Sequence, residues 1–233
     1  MSERIAIIGG GKIGEALLAG LIGAGTPTKD LVVAERVESR AAEIAEKYGV
    51  LVTDVKSAAE SAQYVFLAIK PDDVDSILRI LASAEDNAES ERVTVTLVAG
   101  LPLSRYESAL QAGSPVIRVM PNTPMLVNEA MSAVSAGRYV GDEQLQAVVK
   151  ILQTVGRVTV VPEKQMDAVT AVSGSGPAYV FLLAEAMIDA GVGLGLTRAQ
   201  ASEMAVQTIR GAGILLSDSG LSAVDLRAVS YTH

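Results

Sequence analysis

The feature that most constrains this chain is a glycine cluster that directly follows a short apolar segment. Ile5–Ile8 is apolar throughout and predicts a buried strand, and the apolar residues of Ile13–Ile22 recur at helical spacing. Between them lie Gly9, Gly11 and Gly14, in a G-x-G-x-x-G pattern. A strand, this pattern and a helix in succession are typical of the first unit of a dinucleotide-binding α/β domain. An ordinary glycine turn is the alternative interpretation.

Each glycine has its own physical role in such a domain. Gly9 permits the tight turn, Gly11 lets the backbone approach a pyrophosphate, and Gly14 lets the helix pack on the strand. The free N–H groups at the start of the helix favour a phosphate group there. The sequence therefore predicts a pyrophosphate site between residues 9 and 14.

Beyond this unit, apolar segments and helical patterns alternate along the chain to about residue 162. Strands that are apolar throughout and alternate with helices predict a Rossmann-like, mostly parallel sheet with helices on both faces. The predicted strands are Ile5–Ile8, Leu31–Ala34, Val50–Val52, Tyr64–Ile69, Val93–Val98, Val116–Val119, Ala133–Ala136 and Arg157–Val161. From residue 165 onward we find only helical patterns, so we predict an α/β domain over residues 1–163 and an all-α domain over residues 164–233.

Three segments fit the capping box, in which a hydroxyl residue opens a helix and a Glu or Gln follows three positions later. They begin at Ser57, Ser104 and Thr197, and each is predicted to be the N-cap of a helix.

Composition excludes several kinds of chemistry. The chain has no cysteine and its only histidine is His233, so thiolate catalysis, disulfides, a metal site and a histidine general base are not expected. A net charge of −8 and an aromatic content of 3% argue against a nucleic acid or an anionic membrane as the partner. A bound cofactor is therefore the simplest candidate for the group that would carry out any chemistry.

The longest uncharged stretch, Ala168–Ala184, contains the sequence Gly174-Ser175-Gly176-Pro177. We expect these residues to interrupt the stretch below membrane-spanning length. The N-terminal apolar segment lacks a small-residue cleavage site and is typical of a strand, not of a signal peptide. The protein is therefore predicted to be soluble and cytoplasmic, with no membrane partner.

The end of the second predicted strand bears on the choice of cofactor. A carboxylate here, such as Glu35, chelates the ribose of NAD, whereas an arginine, such as Arg36, meets the 2′-phosphate of NADP. Arg36 and Arg40 are spaced to flank a phosphate. We expect NADP(H), with NAD(H) as the second choice; a solvated start of the following helix is the alternative interpretation.

Three further motifs narrow the family. They are Leu67-Ala-Ile-Lys-Pro71, Arg118-Val-Met-Pro-Asn-Thr-Pro124 and Ala171-Val-Ser-Gly-Ser-Gly-Pro-Ala-Tyr179. Together with the glycine pattern, and in the same order and spacing, they resemble the bacterial pyrroline-5-carboxylate reductases, which catalyse the last step of proline synthesis. The resemblance covers almost the whole chain.

The resemblance implies where the cofactor and the substrate bind. The cofactor positions follow the dinucleotide from the pyrophosphate and the adenosine to the nicotinamide, which lies near Asn122. In chain order they are Gly9, Gly10, Gly11, Lys12, Ile13, Gly14, Arg36, Lys56, Ala68, Ile69, Lys70, Pro71, Val98, Ala99, Gly100 and Asn122. Positions near the substrate are Glu163, Ser173, Gly174, Ser175 and Gly176. The alternatives are that Lys70 is a solvated charge and that Gly174 and Gly176 only allow close helix packing.

The resemblance also implies hydride transfer from NAD(P)H to 1-pyrroline-5-carboxylate. This cyclic imine is readily protonated, so positioning matters more than a strong protein acid. The family's Ser-Pro-Gly-Gly-Thr-Thr segment, which holds the substrate and supplies a hydroxyl, is not found in this sequence. We therefore name no catalytic residue, and we expect slow turnover without that segment.

Two other functions stay open at this point. A dehydrogenase of the hydroxyacid type would carry a lysine in the helical domain, but none occurs between Met166 and His233. A non-catalytic NADP-binding or regulatory protein is the second alternative.

The segment Tyr179–Ala184, with Met187 and Ile188, is apolar on nearly all sides of its helix. Three helices cannot bury such a surface alone, which predicts self-association. The family resemblance implies a dimer, or a ring of dimers.

Overall fold

The computed structural model describes residues 4–60, 62–84 and 92–231. The chain divides between Ser175 and Gly176 into an α/β unit and a helical unit. This division lies farther along the chain than residue 163, because the short helical segments after residue 163 belong to the α/β unit. The boundary at residue 163 stays a prediction about functional domains.

The α/β unit contains an eight-stranded sheet in the order β3-β2-β1-β4-β5-β6-β7-β8. The strands are β1 Ile5–Ile8, β2 Leu31–Ala34, β3 Leu51–Thr53, β4 Tyr64–Leu67, β5 Val93–Thr96, β6 Val116–Met120, β7 Ala130–Ala136 and β8 Gly156–Val160. Within this described sheet only β6 and β7 pair antiparallel. The predicted Rossmann-like, mostly parallel sheet is confirmed, with each predicted strand within three residues of its observed ends.

Helices connect these strands and continue into the second unit. They are α1 Lys12–Gly23, α2 Glu38–Tyr48, α3 Val55–Glu60, α4 Val74–Ser83, α5 Leu103–Glu107, α6 Asp142–Gln153, α7 Met166–Val169, α8 Gly176–Gly193, α9 Arg198–Asp218 and α10 Ala223–Tyr231. Short 3₁₀ turns cover Thr28–Asp30, Pro71–Asp73, Thr123–Val127 and Glu163–Gln165, and Thr170–Gly174 forms a π-helical turn.

Successive residues of the central strands supply two separate hydrophobic cores. Ile7 and Phe66 face the core that contains α1 and α6, whereas Ile8 and Leu67 face the core that contains α3, α4 and α5. Since neighbouring side chains of a strand point to opposite faces, a strand covered on both sides buries all of its side chains, which favours apolar residues at every position. The strands β1, β2 and β4 are apolar throughout, and all their residues are buried.

Two of the three predicted helix caps are wrong. The helix α3 begins at Val55, before Ser57, because the Asp54 carboxylate accepts the Ser57 N–H at 3.0 Å. Ser104 lies inside α5, whose N-cap is Pro102. The predicted cap at Thr197 is confirmed, and its hydroxyl accepts the Gln200 N–H.

The helical unit consists of α8, α9 and α10, and most of its apolar surface is exposed in a single chain. The helix α8 has no buried residue, and Phe181 and Leu182 are 65% and 66% exposed. Small side chains allow α8 and α9 to pack closely, since a Cβ on Gly191 would lie 3.0 Å from Ala201 Cβ. A large apolar surface of this kind marks a site of interaction.

One helical segment of the described chain, Glu163–Gly193, is long and apolar enough to cross a membrane, by length and composition alone. The expectation that Gly174 to Pro177 shortens this stretch is therefore wrong. A π turn accommodates the glycines up to Gly174, and Pro177 lies in the first turn of α8, where its missing N–H costs little.

A network of charges ties α1 to α2 on one face of the sheet. The Glu15 carboxylate accepts Lys47 Nζ at 2.9 Å and the Tyr48 hydroxyl at 2.8 Å, and it pairs with the Arg40 guanidinium. The Lys47 ammonium, the Tyr48 hydroxyl and Arg40 together lower the pKa of Glu15 from 4.5 to about 2. These contacts stabilise the folded chain only while Glu15 carries its charge.

We expect Glu15→Gln to lower the free energy of unfolding at neutral pH by about 1.5–3 kcal/mol, the scale of hydrogen bonds to a charged group. Because the pKa of Glu15 is lowered on folding, the difference from wild type should be complete above pH 4.5 and should narrow as the pH falls towards 2. Urea denaturation at several pH values measures it. The control is Glu46→Gln, an exposed carboxylate on α2. A difference that does not depend on pH would contradict this account.

Candidate active site

The glycine turn after β1 brings three backbone segments close together. Gly9 has a φ of +104°, and a Cβ there would lie 2.4 Å from the carbonyl oxygen of Ala68. A Cβ on Gly14 would lie 2.0 Å from the carbonyl oxygen of Gly9. Gly11, in contrast, faces open space, with no atom within 4 Å of the position that a Cβ would take. The turn thus has the geometry that was predicted for each glycine.

A cleft of about 950 Å³ opens beside this turn, at the carboxyl ends of β1, β2 and β4. Ligands of open α/β sheets bind at this edge, where helix N-termini converge. The helix α1 begins here at Lys12, and its N-cap Gly11 offers no side chain to the first N–H groups. Those N–H groups are therefore available to an anion.

Basic side chains lie around the same cleft. Arg36, Lys56 and Lys70 line it, and Arg36 Nη1 pairs with Asp73 Oδ1 at 2.9 Å. The Arg36 side chain is 76% exposed, so this ion pair is weak and easily exchanged for another anion.

Arg40 is not among the residues that line the cleft. Its Nε donates to the Gly10 carbonyl at 2.8 Å, and its guanidinium also pairs with Glu15 and Glu43. These partners all lie within the protein, and a contact of Arg40 with a phosphate stays a prediction.

The edge of the sheet continues past this cleft to the loop that follows β5. Thr96 Oγ1 donates to the Tyr106 hydroxyl at 2.7 Å and accepts the Val98 N–H at 3.2 Å. Both side chains are fully buried, and burial raises the pKa of Tyr106. This buried pair holds the start of the segment Val98–Gly100 at the carboxyl end of β5, next to β4.

Asn122 lies at the end of β6, and its amide links two segments. Its Nδ2 donates to the Ser173 carbonyl at 3.0 Å, and its Oδ1 accepts the Met131 N–H at 2.9 Å. The amide oxygen thus ties the loop after β6 to β7, and the amide nitrogen ties the same loop to the π turn.

Glu163 follows β8 and is held from two sides. One of its carboxylate oxygens accepts the Leu103 N–H at 2.6 Å and Arg118 Nη1 at 3.1 Å. Arg118 is 9% exposed, so the carboxylate balances a nearly buried cation. Glu163 also lines a second cavity of about 670 Å³.

The π turn Thr170–Gly174 carries the start of the Ser-Gly-Ser-Gly-Pro motif. A Cβ on Gly174 would lie 2.6 Å from Met120 Cε, so the absence of a side chain allows this turn to approach β6. The packing interpretation therefore applies to Gly174. Gly176, by contrast, has no atom within 4 Å of its Cβ position. Single π turns are frequent at functional sites of helices.

The structure brings only part of the predicted set together. The predicted cofactor residues that line the first cleft are Gly9, Gly11, Arg36, Lys56, Ala68, Ile69 and Lys70. Those that lie outside its lining are Gly10, Lys12, Ile13, Gly14, Pro71, Val98, Ala99, Gly100 and Asn122. The second group follows the glycine turn or the ends of β4, β5 and β6, along the same edge of the sheet. The ligand contacts of both groups stay predictions.

Sequence reasoning missed several residues of the cleft. Thr53 is the last residue of β3, and Asp54 follows it. Asp73 pairs with Arg36. From α4, Ile77 and Ile80 supply an apolar wall. The spacing of Ile77 and Ile80 on one helical face was visible in the sequence, but it did not indicate which face would meet the cleft.

Comparison with known proteins agrees with this geometry. Residues 163–232 match the family model described as pyrroline-5-carboxylate reductase dimerisation, and residues 4–100 match one described as NADP oxidoreductase coenzyme F420-dependent. A pyrroline-5-carboxylate reductase of Mycobacterium tuberculosis is 52% identical over 216 residues, which cover 91% of this chain and 73% of the relative.

Two solved structures extend the likeness to the fold. A pyrroline-5-carboxylate reductase from Coxiella burnetii superposes with a TM-score of 0.92 at 32% identity, over 99% of this chain and 85% of the other. The Plasmodium falciparum pyrroline carboxylate reductase, solved with NADP bound, gives a TM-score of 0.85 at 26% identity, over 97% and 83%. On its sequence, its fold and its glycine turn, this chain belongs to the pyrroline-5-carboxylate reductase family.

Proposed function

We propose that the cleft beside the glycine turn binds NADP(H), with which this enzyme reduces 1-pyrroline-5-carboxylate to L-proline in proline biosynthesis. The observation that carries the proposal is the open N-terminus of α1 at Gly11, in a cleft lined by Arg36, Lys56 and Lys70. An uncapped helix start and three cations suit a ligand with a pyrophosphate and a further phosphate.

The two ends of the cleft suit different parts of the dinucleotide. The apolar wall of Ile77 and Ile80 suits the adenine, and Arg36 lies where β2 ends, the position that contacts the 2′-phosphate in NADP-binding domains. From Gly9 the sheet edge leads towards Val98–Gly100 and Asn122, so the nicotinamide is proposed to lie at these residues.

Bound NADPH supplies the hydride for this reaction. The protein positions the imine carbon against the hydride donor, and such orientation contributes up to about 7–11 kcal/mol to lowering the barrier. Asn122 fixes the Ser173 backbone beside the proposed nicotinamide site, and Glu163 is proposed to orient the substrate from its place beside Arg118. A carboxylate near the imine nitrogen would favour the protonated iminium form of the substrate, which is the form that accepts a hydride.

The helical unit mediates self-association, as its family match indicates. We propose further that dimers assemble into a ring, since α8, α9 and α10 all expose large apolar residues. We place the enzyme in the cytoplasm, because in this assembly the apolar helix surface is covered by protein and not by lipid.

The function is tested by following the loss of NADPH absorbance and the formation of proline when 1-pyrroline-5-carboxylate is added to the purified full-length protein. We expect turnover in wild type.

Gly11→Ala should weaken NADPH binding about tenfold or more, because its methyl occupies the space proposed for the pyrophosphate, while thermal stability stays unchanged. Gly14→Ala is the matched contrast and should lower the melting temperature, since its Cβ meets the Gly9 carbonyl. Unchanged NADPH binding by Gly11→Ala would reject the proposed site.

Arg36 is expected to select NADP(H). Arg36→Ala should weaken NADPH binding by about 1.5–3 kcal/mol, the scale of a charge-assisted hydrogen bond, and should hardly change NADH binding. Titration calorimetry with both cofactors measures the difference. In the control Asp73→Asn, Arg36 is kept but its ion-pair partner is neutral, so NADPH binding should be equal or tighter. An equal loss for both cofactors in Arg36→Ala would show that another group selects the phosphate.

Light scattering at micromolar protein, without detergent, tests the assembly. We expect a mass of at least twice the 24.1 kDa of one chain, and a still larger multiple for a ring of dimers. Phe181→Glu should shift the mass towards a single chain, because it places a charge on the exposed apolar helix α8, whereas the polar replacement Glu185→Gln on the same helix should not. A wild-type mass of one chain would contradict self-association.

A further inference from the structure

The backbone of Gly10 is held by side chains on both sides. Its N–H donates to Glu35 Oε2 at 2.8 Å, and its carbonyl accepts from Arg40 Nε at 2.8 Å. Gly10 is buried, and a Cβ there would lie 2.3 Å from Ile44 Cδ1 and 3.1 Å from Glu35 Oε2. The two peptide groups on either side of Gly10, both within the glycine turn, are therefore fixed by charged groups from the end of β2 and from α2.

The Glu35 carboxylate is directed at the backbone with both oxygens. While Oε2 accepts the Gly10 N–H, Oε1 accepts the Val37 N–H at 2.8 Å. In many dinucleotide-binding domains an acidic residue at this position binds the ribose hydroxyls of NAD. Here each carboxylate oxygen accepts a backbone N–H from within the protein, so the carboxylate has a structural role beside the turn, and Arg36 lies next to it at the cleft.

Arg40 is itself held in place by a chain of charges. Its guanidinium pairs with Glu15 from α1 and with Glu43 from α2, and Glu15 is in turn bound by Lys47 and Tyr48. The Arg40 side chain is 24% exposed. With its terminal nitrogens engaged in this way, Nε is left to bind the Gly10 carbonyl.

We propose that Glu35 and Arg40 are positioning residues that clamp the peptide groups on either side of Gly10 and so hold the N–H groups after Gly11 in register for the cofactor pyrophosphate. The inference rests on the proposed function, since it assumes that the cleft binds NADP(H). It predicts that Glu35 contributes equally to NADPH and NADH binding. A ribose-binding carboxylate would instead favour NADH and oppose the 2′-phosphate.

The test compares three ligands by titration: NADPH, NADH and adenosine 2′-monophosphate, which lacks a pyrophosphate. For Glu35→Gln, which keeps the size but gives up one acceptor, we expect both dinucleotides to weaken by the same factor, about tenfold, as for one hydrogen bond to a charged group. Binding of adenosine 2′-monophosphate should be unchanged. Arg40→Lys keeps the charge beside Glu15 but loses the Nε donor, and it should show the same pattern.

The matched control is Glu46→Gln, which removes an exposed carboxylate of the same helix α2 and should bind all three ligands like wild type. Selective loss of NADH in Glu35→Gln, or tighter binding of NADPH, would overturn the proposal and show that Glu35 binds the ribose. Equal weakening of all three ligands would also overturn it, as general structural damage. If one variant does not fold, the other decides. Failure of the wild-type protein to bind NADPH would instead reject the proposed function.

Discussion

The close approach of backbone at the first glycine turn is the constraint on which the cofactor cleft depends. Methyl groups on Gly9 and Gly14 would lie 2.4 Å and 2.0 Å from carbonyl oxygens, so the contacts among β1, α1 and the end of β4 require glycine. This approach places the N-terminus of α1 at the edge of the sheet. The side chains of Glu35 and Arg40 then hold the backbone N–H and carbonyl of the intervening Gly10. The turn is thus fixed both by its own glycines and by residues that are distant in the sequence.

The two units depend on burial in different ways. The α/β unit buries most of its strands between two hydrophobic cores formed by its own residues. The helical unit leaves Phe181, Leu182 and much of its other apolar surface exposed in a single chain. A large exposed apolar surface is typical of self-association, which the family match of this unit also indicates. The same apolar side chains make Glu163–Gly193 long and apolar enough to cross a membrane, by length and composition alone.

The elements that could be predicted are those whose pattern is decided within a few residues. Strands such as β1 and β4 are buried on both faces and apolar throughout, and Thr197 caps α9 by accepting the Gln200 N–H, three residues away. The helix α6, Asp142–Gln153, was not predicted. It connects the parallel strands β7 and β8, and a parallel pair requires such a crossover. The caps at Ser57 and Ser104 were wrong because α3 already begins at Val55, where the Asp54 carboxylate accepts the Ser57 N–H, and α5 begins at Leu103, directly after Pro102.

The sequence by itself determined the Rossmann-like class, the position of the glycine turn and the family, because glycine spacing and strand composition are local consequences of backbone sterics and burial. Tertiary structure alone decided the partners of the charged side chains. Arg40 and Glu35 lie five residues apart on either side of a turn, yet both meet Gly10, and Arg36 meets Asp73 across the cleft. Which opposite charge a long side chain reaches depends on how distant segments pack, and the spacing of residues along the chain does not contain that information.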